Sequence, residues 1–242
     1  MCAGSIWSSP PVSLSLEAGE VHVWRLALEQ PLGRFIGMLD PDELTRANRF
    51  HFEKDRRHFI VARGFLRALL GRYLTSEPKE LKFVYGAYGK PALEQEGSLR
   101  FNMSHSHGMA LYALTEGRDV GVDVEYMRAD FTGDDIARRF FSPFEVQSLC
   151  GLPDQHRVES FFRCWTRKEA YIKATGRGLS QPLDGFDVTL APGETAALLR
   201  TDDGSHERWS MANVEVGPGY AGAVAVEGPI TTIRYWNADD TD

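Results

Sequence analysis

The run from Lys54 to Tyr73 constrains the fold of this chain more than any other. Phe59, Ala62, Leu66, Leu69, Leu70 and Tyr73 recur at helical spacing and make one apolar face, which predicts a long helix. Arg56, Arg63 and Arg67 stand seven and four residues apart, so they line one flank of that face. From Arg46 to Arg72 the chain has eight Lys/Arg against two acids, Glu53 and Asp55, while its formal net charge as a whole is −7. A basic island in an acidic protein suggests a compact anionic ligand and argues against general nucleic-acid binding.

Around this helix the pattern is mixed. VHVWRLAL, Val21 to Leu28, alternates like a strand until PLGRF breaks it. PDELTRANRF predicts a shorter helix with Asp40 as N-cap and Pro41 at its first position. LKFVYG and SLRFNMS predict short strands separated by a Gly/Pro-rich turn, YGKPALEQEG, and MALYAL predicts another. DVGVDVEYM then reads as a strand and DDIARRFFSPFEVQSL as one helix. WTRKEAYIKAT reads as a helix stopped by Gly176, and LDGFDVTL, WSMANVEV and GYAGAVAVE follow as strand-like segments. Strands mixed with one or two helices in each half predict an α+β fold rather than a parallel α/β sheet.

At 43% hydrophobic and 25% charged residues the chain has the composition of a soluble globular protein. No run approaches the roughly 18 apolar residues of a membrane span. The first twenty residues lack the basic start and apolar core of a signal peptide. Cys2, Cys150 and Cys164 are too scattered for a disulfide framework or a metal-ligand motif. The expectation is a cytoplasmic, reduced protein.

In VGVDVEY the valines 120, 122 and 124 share one parity, and Gly121, Asp123 and Glu125 the other. On a strand the valines face a core and the two carboxylates stand together on the opposite face, where they repel unless a cation sits between them. Oxygen ligands of this kind suit Mg²⁺; a solvated strand face bearing two acids reads equally from the same residues. SHSHG, Ser104 to Gly108, offers hydroxyls and imidazoles on a turn, as a phosphate-binding loop or a plain polar turn would. Trp165, Glu169 and Lys173 sit at i, i+4 and i+8 on one helix face, with Lys168 beside it. A surface ion pair between Glu169 and Lys173 explains part of this pattern. If instead Glu169 joins Asp123 and Glu125 on one Mg²⁺, Lys168 and Lys173 are left to meet an anionic substrate.

Three segments in order, FNMSHS (101–106), GVDVE (121–125) and WTRKEAYIK (165–173), resemble the motifs of the Sfp-type 4′-phosphopantetheinyl transferase family. FFSPFE (140–145) is similar to the family's linking region. The resemblance implies two similar α+β halves, here residues 1–116 and 117–242, packed around a central cleft that takes coenzyme A. It implies Asp123, Glu125 and Glu169 as Mg²⁺ ligands, and Lys90, Ser104, His105, Lys168 and Lys173 as contacts to the coenzyme A phosphates. Arg63 falls where some members place an arginine on the 3′-phosphate, and Arg46 lies near another such contact; because Glu43 and Arg46 stand where some relatives have lysines, Arg56, Arg57 and Arg63 are the replacements. The implied reaction moves phosphopantetheine to a serine of an apo carrier protein. Glu169, directly or through a water, acts as base, Lys173 orients it or protects the leaving group, and the carrier docks around Arg138 to Phe144. A single chain holding both halves is expected to be a monomer, with no nucleic acid or membrane among its partners. A Mg²⁺-dependent phosphohydrolase or nucleotidyl transferase, and a non-catalytic coenzyme A-binding module, are the rival readings of the same residues.

Overall fold

Two sheets pressed together through a layer of valines organise the molecule. The computed structural model describes residues 6–95, 97–128 and 133–240; Cys2 and Glu96 lie outside the described residues. In chain order the elements are β1 (Glu20–Ala27), α1 (Pro41–Ala47), α2 (Glu53–Leu74), β2 (Phe83–Tyr85), β3 (Pro91–Leu93), β4 (Leu99–Ser106), β5 (Met109–Glu116) and β6 (Val120–Tyr126). There follow α3 (Asp134–Phe140), α4 (Pro143–Cys150), α5 (Asp154–Thr175), β7 (Phe186–Val188), β8 (Leu198–Thr201), β9 (Trp209–Asn213), β10 (Tyr220–Glu227) and β11 (Thr232–Asn237). The first sheet runs β11-β1-β5-β4 and the second β6-β10-β9, with two small hairpins, β2-β3 and β7-β8, beside them.

Strand periodicity sends the strands' buried side chains into three layers among the described residues. Trp24, Leu26, Tyr112 and Leu114 point from the first sheet to α2, where Ile60, Leu66, Leu69 and Leu70 cover them. Val21, Val23, Leu111 and Ala113, of the opposite parity, meet Val120, Val122, Val124, Val224 and Val226 of the second sheet. The outer face of the second sheet, Ala221, Ala223 and Ala225, is small-chained and lets Ala170, Tyr171, Ile172 and Ala174 of α5 lie close upon it. Each large side chain fully buried in these layers contributes about 1.5–3 kcal/mol.

The long amphipathic helix, the α+β character and the Asp40 cap are as the sequence predicts. Asp40 Oδ1 accepts from Glu43 N at 2.8 Å, and Glu43 Oε2 accepts from Asp40 N at 3.0 Å, a reciprocal cap of about 1 kcal/mol. Other expectations need correction. Residues 134–149 form two helices, not one: Pro143 cannot donate within a helix, and Ser142 caps the second one by accepting from Glu145 N. Within the turn read between LKFVYG and SLRFNMS, Pro91–Leu93 form a strand paired with Phe83–Tyr85. The last strand, β11, returns to the first sheet and pairs parallel with β1, Glu20 against Thr232, so it crosses the division into residues 1–116 and 117–242.

Candidate active site

The site is built where the edge of one sheet meets the edge of the other. Along β4 the even-numbered side chains turn to β6. Asn102 Oδ1 accepts from Val122 N at 2.9 Å, Ser104 donates to Asp123 Oδ1 at 2.8 Å, and Ser106 donates to Glu125 Oε2 at 2.8 Å. The polar turn and the acidic strand, separate motifs in the sequence, are thus one seam. The odd-numbered residues Met103 and His105 turn the other way, toward α2, and line a cavity there.

On β6 the valines are buried as their parity predicts, yet the opposite face is not solvated. It lies against α5, and Gly121 makes that approach possible: a Cβ there would stand 2.0 Å from Ala170 O and 2.4 Å from Ala174 N. The close approach buries Asp123 to 2% exposure and brings Lys173 Nζ to 2.6 Å from Asp123 Oδ1 and 2.9 Å from Ser104 Oγ. Asp123 Oδ2 is buried with no hydrogen-bond partner. Glu169, one turn back on α5, forms no hydrogen bond or ion pair with any described residue. Burial first, then the charges of Asp123 and Glu125, push its pKa up to about 7 against the pull of Lys173. Burial and Asp123 also raise Glu125. As the side chains stand, no three His, Cys, Asp or Glu among the described residues are gathered tightly enough to hold a metal.

Trp165, Glu169 and Lys173 form the stripe that their spacing predicts, and it runs between two cavities. Lys173 lines one of about 330 Å³ together with Arg46, Arg63, Tyr85, Ser104 and His105. Trp165 lines the other, of about 380 Å³, with Glu125 on its wall. Burial and the Lys173 ammonium lower the pKa of His105, although the residue as a whole is exposed. Arg46 lies over the Phe59 ring, 5.2 Å from its centroid. Arg63 lies over Phe83 at 3.9 Å, donates to Tyr85 Oη at 3.1 Å and is ion-paired with Glu43.

Three predicted phosphate contacts lie elsewhere. Lys168 is fully buried; it donates to Leu183 O and Phe186 O, each at 2.6 Å, and pairs with Glu145 Oε2 at 2.8 Å. In this structure it is a strut between α4, α5 and β7. Lys90 closes the C-terminal end of α5, donating to Ala174 O at 2.8 Å and Val120 O at 3.2 Å. It lines a larger cavity of about 1070 Å³ behind the β2-β3 hairpin, which contains none of Asp123, Glu125 or Glu169. Arg57 does not line the cavity of Arg46 and Arg63; its charge acts on Glu29.

Glu43 and Glu145 are the residues that sequence reasoning missed. Glu43, 5% exposed, holds Arg63 and also Arg67 Nε at 2.6 Å, while Arg67 Nη2 reaches Asp40 at 2.5 Å. Part of the basic island is therefore neutralised inside the protein. A signal for Lys168 was present: Phe161, Cys164, Lys168 and Ile172 follow one another at spacings of three and four, which puts the lysine on the buried face.

The chain matches a family model described as the 4′-phosphopantetheinyl transferase superfamily over residues 119–225. A second, described as 4′-phosphopantetheinyl transferase, N-terminal, matches residues 24–116. It is 41% identical over 237 residues to the 4′-phosphopantetheinyl transferase HetI of Nostoc sp., covering 96% of this chain and 98% of that one. It is 28% identical to the 4′-phosphopantetheinyl transferase Sfp of Bacillus subtilis, covering 89% and 98%. It is 27% identical to the human L-aminoadipate-semialdehyde dehydrogenase-phosphopantetheinyl transferase, covering 79% and 68%. With the seam of Ser104, Asp123 and Lys173 lying within the matched segments, the chain belongs to the 4′-phosphopantetheinyl transferase superfamily.

Proposed function

We propose that this protein transfers the 4′-phosphopantetheine group of coenzyme A to a serine hydroxyl of an apo acyl- or peptidyl-carrier protein, releasing adenosine 3′,5′-bisphosphate. One observation carries the reading: buried Asp123 keeps Oδ2 without a partner where Lys173, Ser104 and the charges of Glu125 and Glu169 converge. A buried carboxylate oxygen left in that state calls for a cation. The donor set is all oxygen and fits Mg²⁺, which Asp123, Glu125 and Glu169 would hold. Bound there, the ion would neutralise charge developing on the diphosphate.

The side chains supply the rest. Arg46, Arg63 and His105 line the cavity that takes the anionic nucleotide end of the donor. Lys173, tied to Asp123 and Ser104, fixes the Asp123 carboxylate and presents its ammonium to the same cavity. The attacking serine must lose a proton, and Glu169, whose pKa burial raises to about 7 where no cation lies beside it, is the carboxylate placed to take that proton. A cation held by Asp123, Glu125 and Glu169 would lower that pKa and keep Glu169 ionised, and a water would then carry the serine proton to it.

One chain supplies both walls of the cleft, so the monomer is taken as the active species. None of the described helices is long and apolar enough to cross a membrane. Cys150 and Cys164 are free thiols, which supports a reducing, cytoplasmic setting. The test is to incubate the protein with coenzyme A, Mg²⁺ and an apo carrier domain and to weigh the carrier. A gain of one phosphopantetheine is expected. Cleaved coenzyme A with an unmodified carrier would overturn the reading in favour of hydrolysis, and bound coenzyme A without product would reduce it to binding.

A further inference from the structure

The turn between β4 and β5 holds a side chain that the mechanism above leaves unused. Ser106 pairs with Met109, so the turn consists of His107 and Gly108 alone, and both have positive φ, 49° and 92°. A two-residue hairpin turn with positive φ at both central positions favours Asn, Asp or Gly at the first. An L side chain as large as histidine adopts this conformation at a cost. Among the described residues only one other non-glycine residue has positive φ, Thr75, which ends α2. The strained turn is held from two directions. The His107 ring lies flat on Tyr126, with centroids 4.4 Å apart and planes 12° apart, and its carbonyl accepts from Tyr220 Oη at 2.9 Å. Tyr220 in turn meets Tyr126 edge-on at 5.2 Å.

The residue is nevertheless exposed, and it lines the 380 Å³ cavity together with Glu125. This cavity shares no lining residue with the one that holds Arg46, Arg63 and Lys173. The two differ in chemistry. The nucleotide-side cavity gathers cationic groups, whereas Ile136, Phe161, Phe162 and Trp165 make the second largely apolar, with Arg128 as the one Lys or Arg among its described lining residues. If the donor's anionic end occupies the first, the serine that attacks from beyond the diphosphate arrives on the side of the second. This step rests on the transferase reading given above.

We propose that His107, set on Tyr126, is an acceptor-recognition residue that touches the carrier polypeptide beside its reactive serine and makes no contact with coenzyme A. The flat face of the imidazole takes a side chain or peptide group of the acceptor, and its ring nitrogens offer a hydrogen bond at the rim. Its backbone position, at φ 49°, is one that asparagine or glycine fills at least as readily, so the histidine ring is not required by the turn.

His107→Asn separates this role from a structural one, because asparagine is at home at positive φ and relieves the strain. The variant is expected to melt at the wild-type temperature or above it. With coenzyme A, Mg²⁺ and an apo carrier domain that the wild type modifies, its KM for the carrier rises about two- to tenfold, the range of one aromatic contact. Its KM for coenzyme A stays at the wild-type value. His107→Gly, which also accepts the turn, is expected to shift the carrier KM in the same way. Unchanged carrier KM in both variants overturns the inference. A shift in the coenzyme A KM alone overturns it as well and gives the ring to the donor's pantetheine arm. A wild-type protein that modifies no carrier is a different result: it fails the transferase reading and takes this inference with it.

Discussion

Lys168 Nζ lies 2.8 Å from Glu145 Oε2, and neither side chain is open to solvent. The pair is fully satisfied: Lys168 also reaches two carbonyls, and Glu145 also accepts from Ser142 N at 2.9 Å and Val188 N at 2.8 Å. Removing one partner of such a pair leaves a buried charge and costs about 3–5 kcal/mol. Lys168→Met and Glu145→Gln are each expected to lower the unfolding free energy in urea substantially. The double variant should cost less than the two single losses together, as coupled groups do. The folded fraction of Lys168→Met should bind coenzyme A as the wild type does; a selective loss of that affinity would return the lysine to the phosphates.

Gly121 tests the seam itself. A methyl group there meets Ala170 O at 2.0 Å, and backbone on both sides leaves nowhere for it to go. Gly121→Ala is expected to push α5 off β6, costing roughly 1–3 kcal/mol as overpacking does. It should also reduce transfer by more than tenfold, because Glu169 and Lys173 move away from Asp123. Gly37, where a methyl group would meet nothing within 4 Å, serves as the control: Gly37→Ala should leave both stability and turnover unchanged.

What the sequence discloses and conceals follows from the range of each signal. Helical spacing marks α2 and the Trp165, Glu169, Lys173 stripe, and strand parity places Asp123 and Glu125 on one face. Those are local regularities. Whether that face is wet depends on what packs against it, and Gly121 hints at the close approach only once α5 is known to lie there. Charge misleads in the same way. Lys168 reads as a substrate contact because its partner Glu145 lies on a different helix, and the family motif gives both residues without saying that they meet. Arg63 and Arg67 read as a free basic flank because Glu43 belongs to the preceding helix.

The unpartnered Asp123 Oδ2 predicts a divalent-ion effect on stability that does not require turnover. An ion bound only by the folded protein stabilises it by about 2.7 kcal/mol at a hundred times its dissociation constant. Wild-type protein titrated with Mg²⁺ should therefore melt at progressively higher temperature. Asp123→Asn should show no such rise, because it replaces an anionic oxygen and leaves Lys173 without its charge partner. Equal upward shifts in both proteins would place the ion elsewhere.

Far from the cleft, His22 gives the fold a pH dependence of definite sign. It is 3% exposed, its Nδ1 lies 2.5 Å from Tyr73 Oη, and its Nε2 lies 3.4 Å from Glu20. Trp24 Nε1, which can only donate, already points at the Tyr73 oxygen at 3.1 Å, so the tyrosine proton turns to His22 Nδ1. Protonating that nitrogen sets two donors against each other. Burial, outweighing the nearby Glu20, lowers the His22 pKa below its ordinary value of 6.5. The unfolded chain then binds the proton more readily than the folded one, so stability rises with pH through this window. Conversely, it is lost as pH falls from about 6.5 through the lower folded value. Over the same range the raised carboxyl of Glu169 acts with the opposite sign, so the His22 share is read as a difference between two proteins. In urea unfolding between pH 7.5 and 5, His22→Gln, polar but without a titrating ring, should lack this share of the decline while losing stability at neutral pH; identical pH profiles would assign it to other groups.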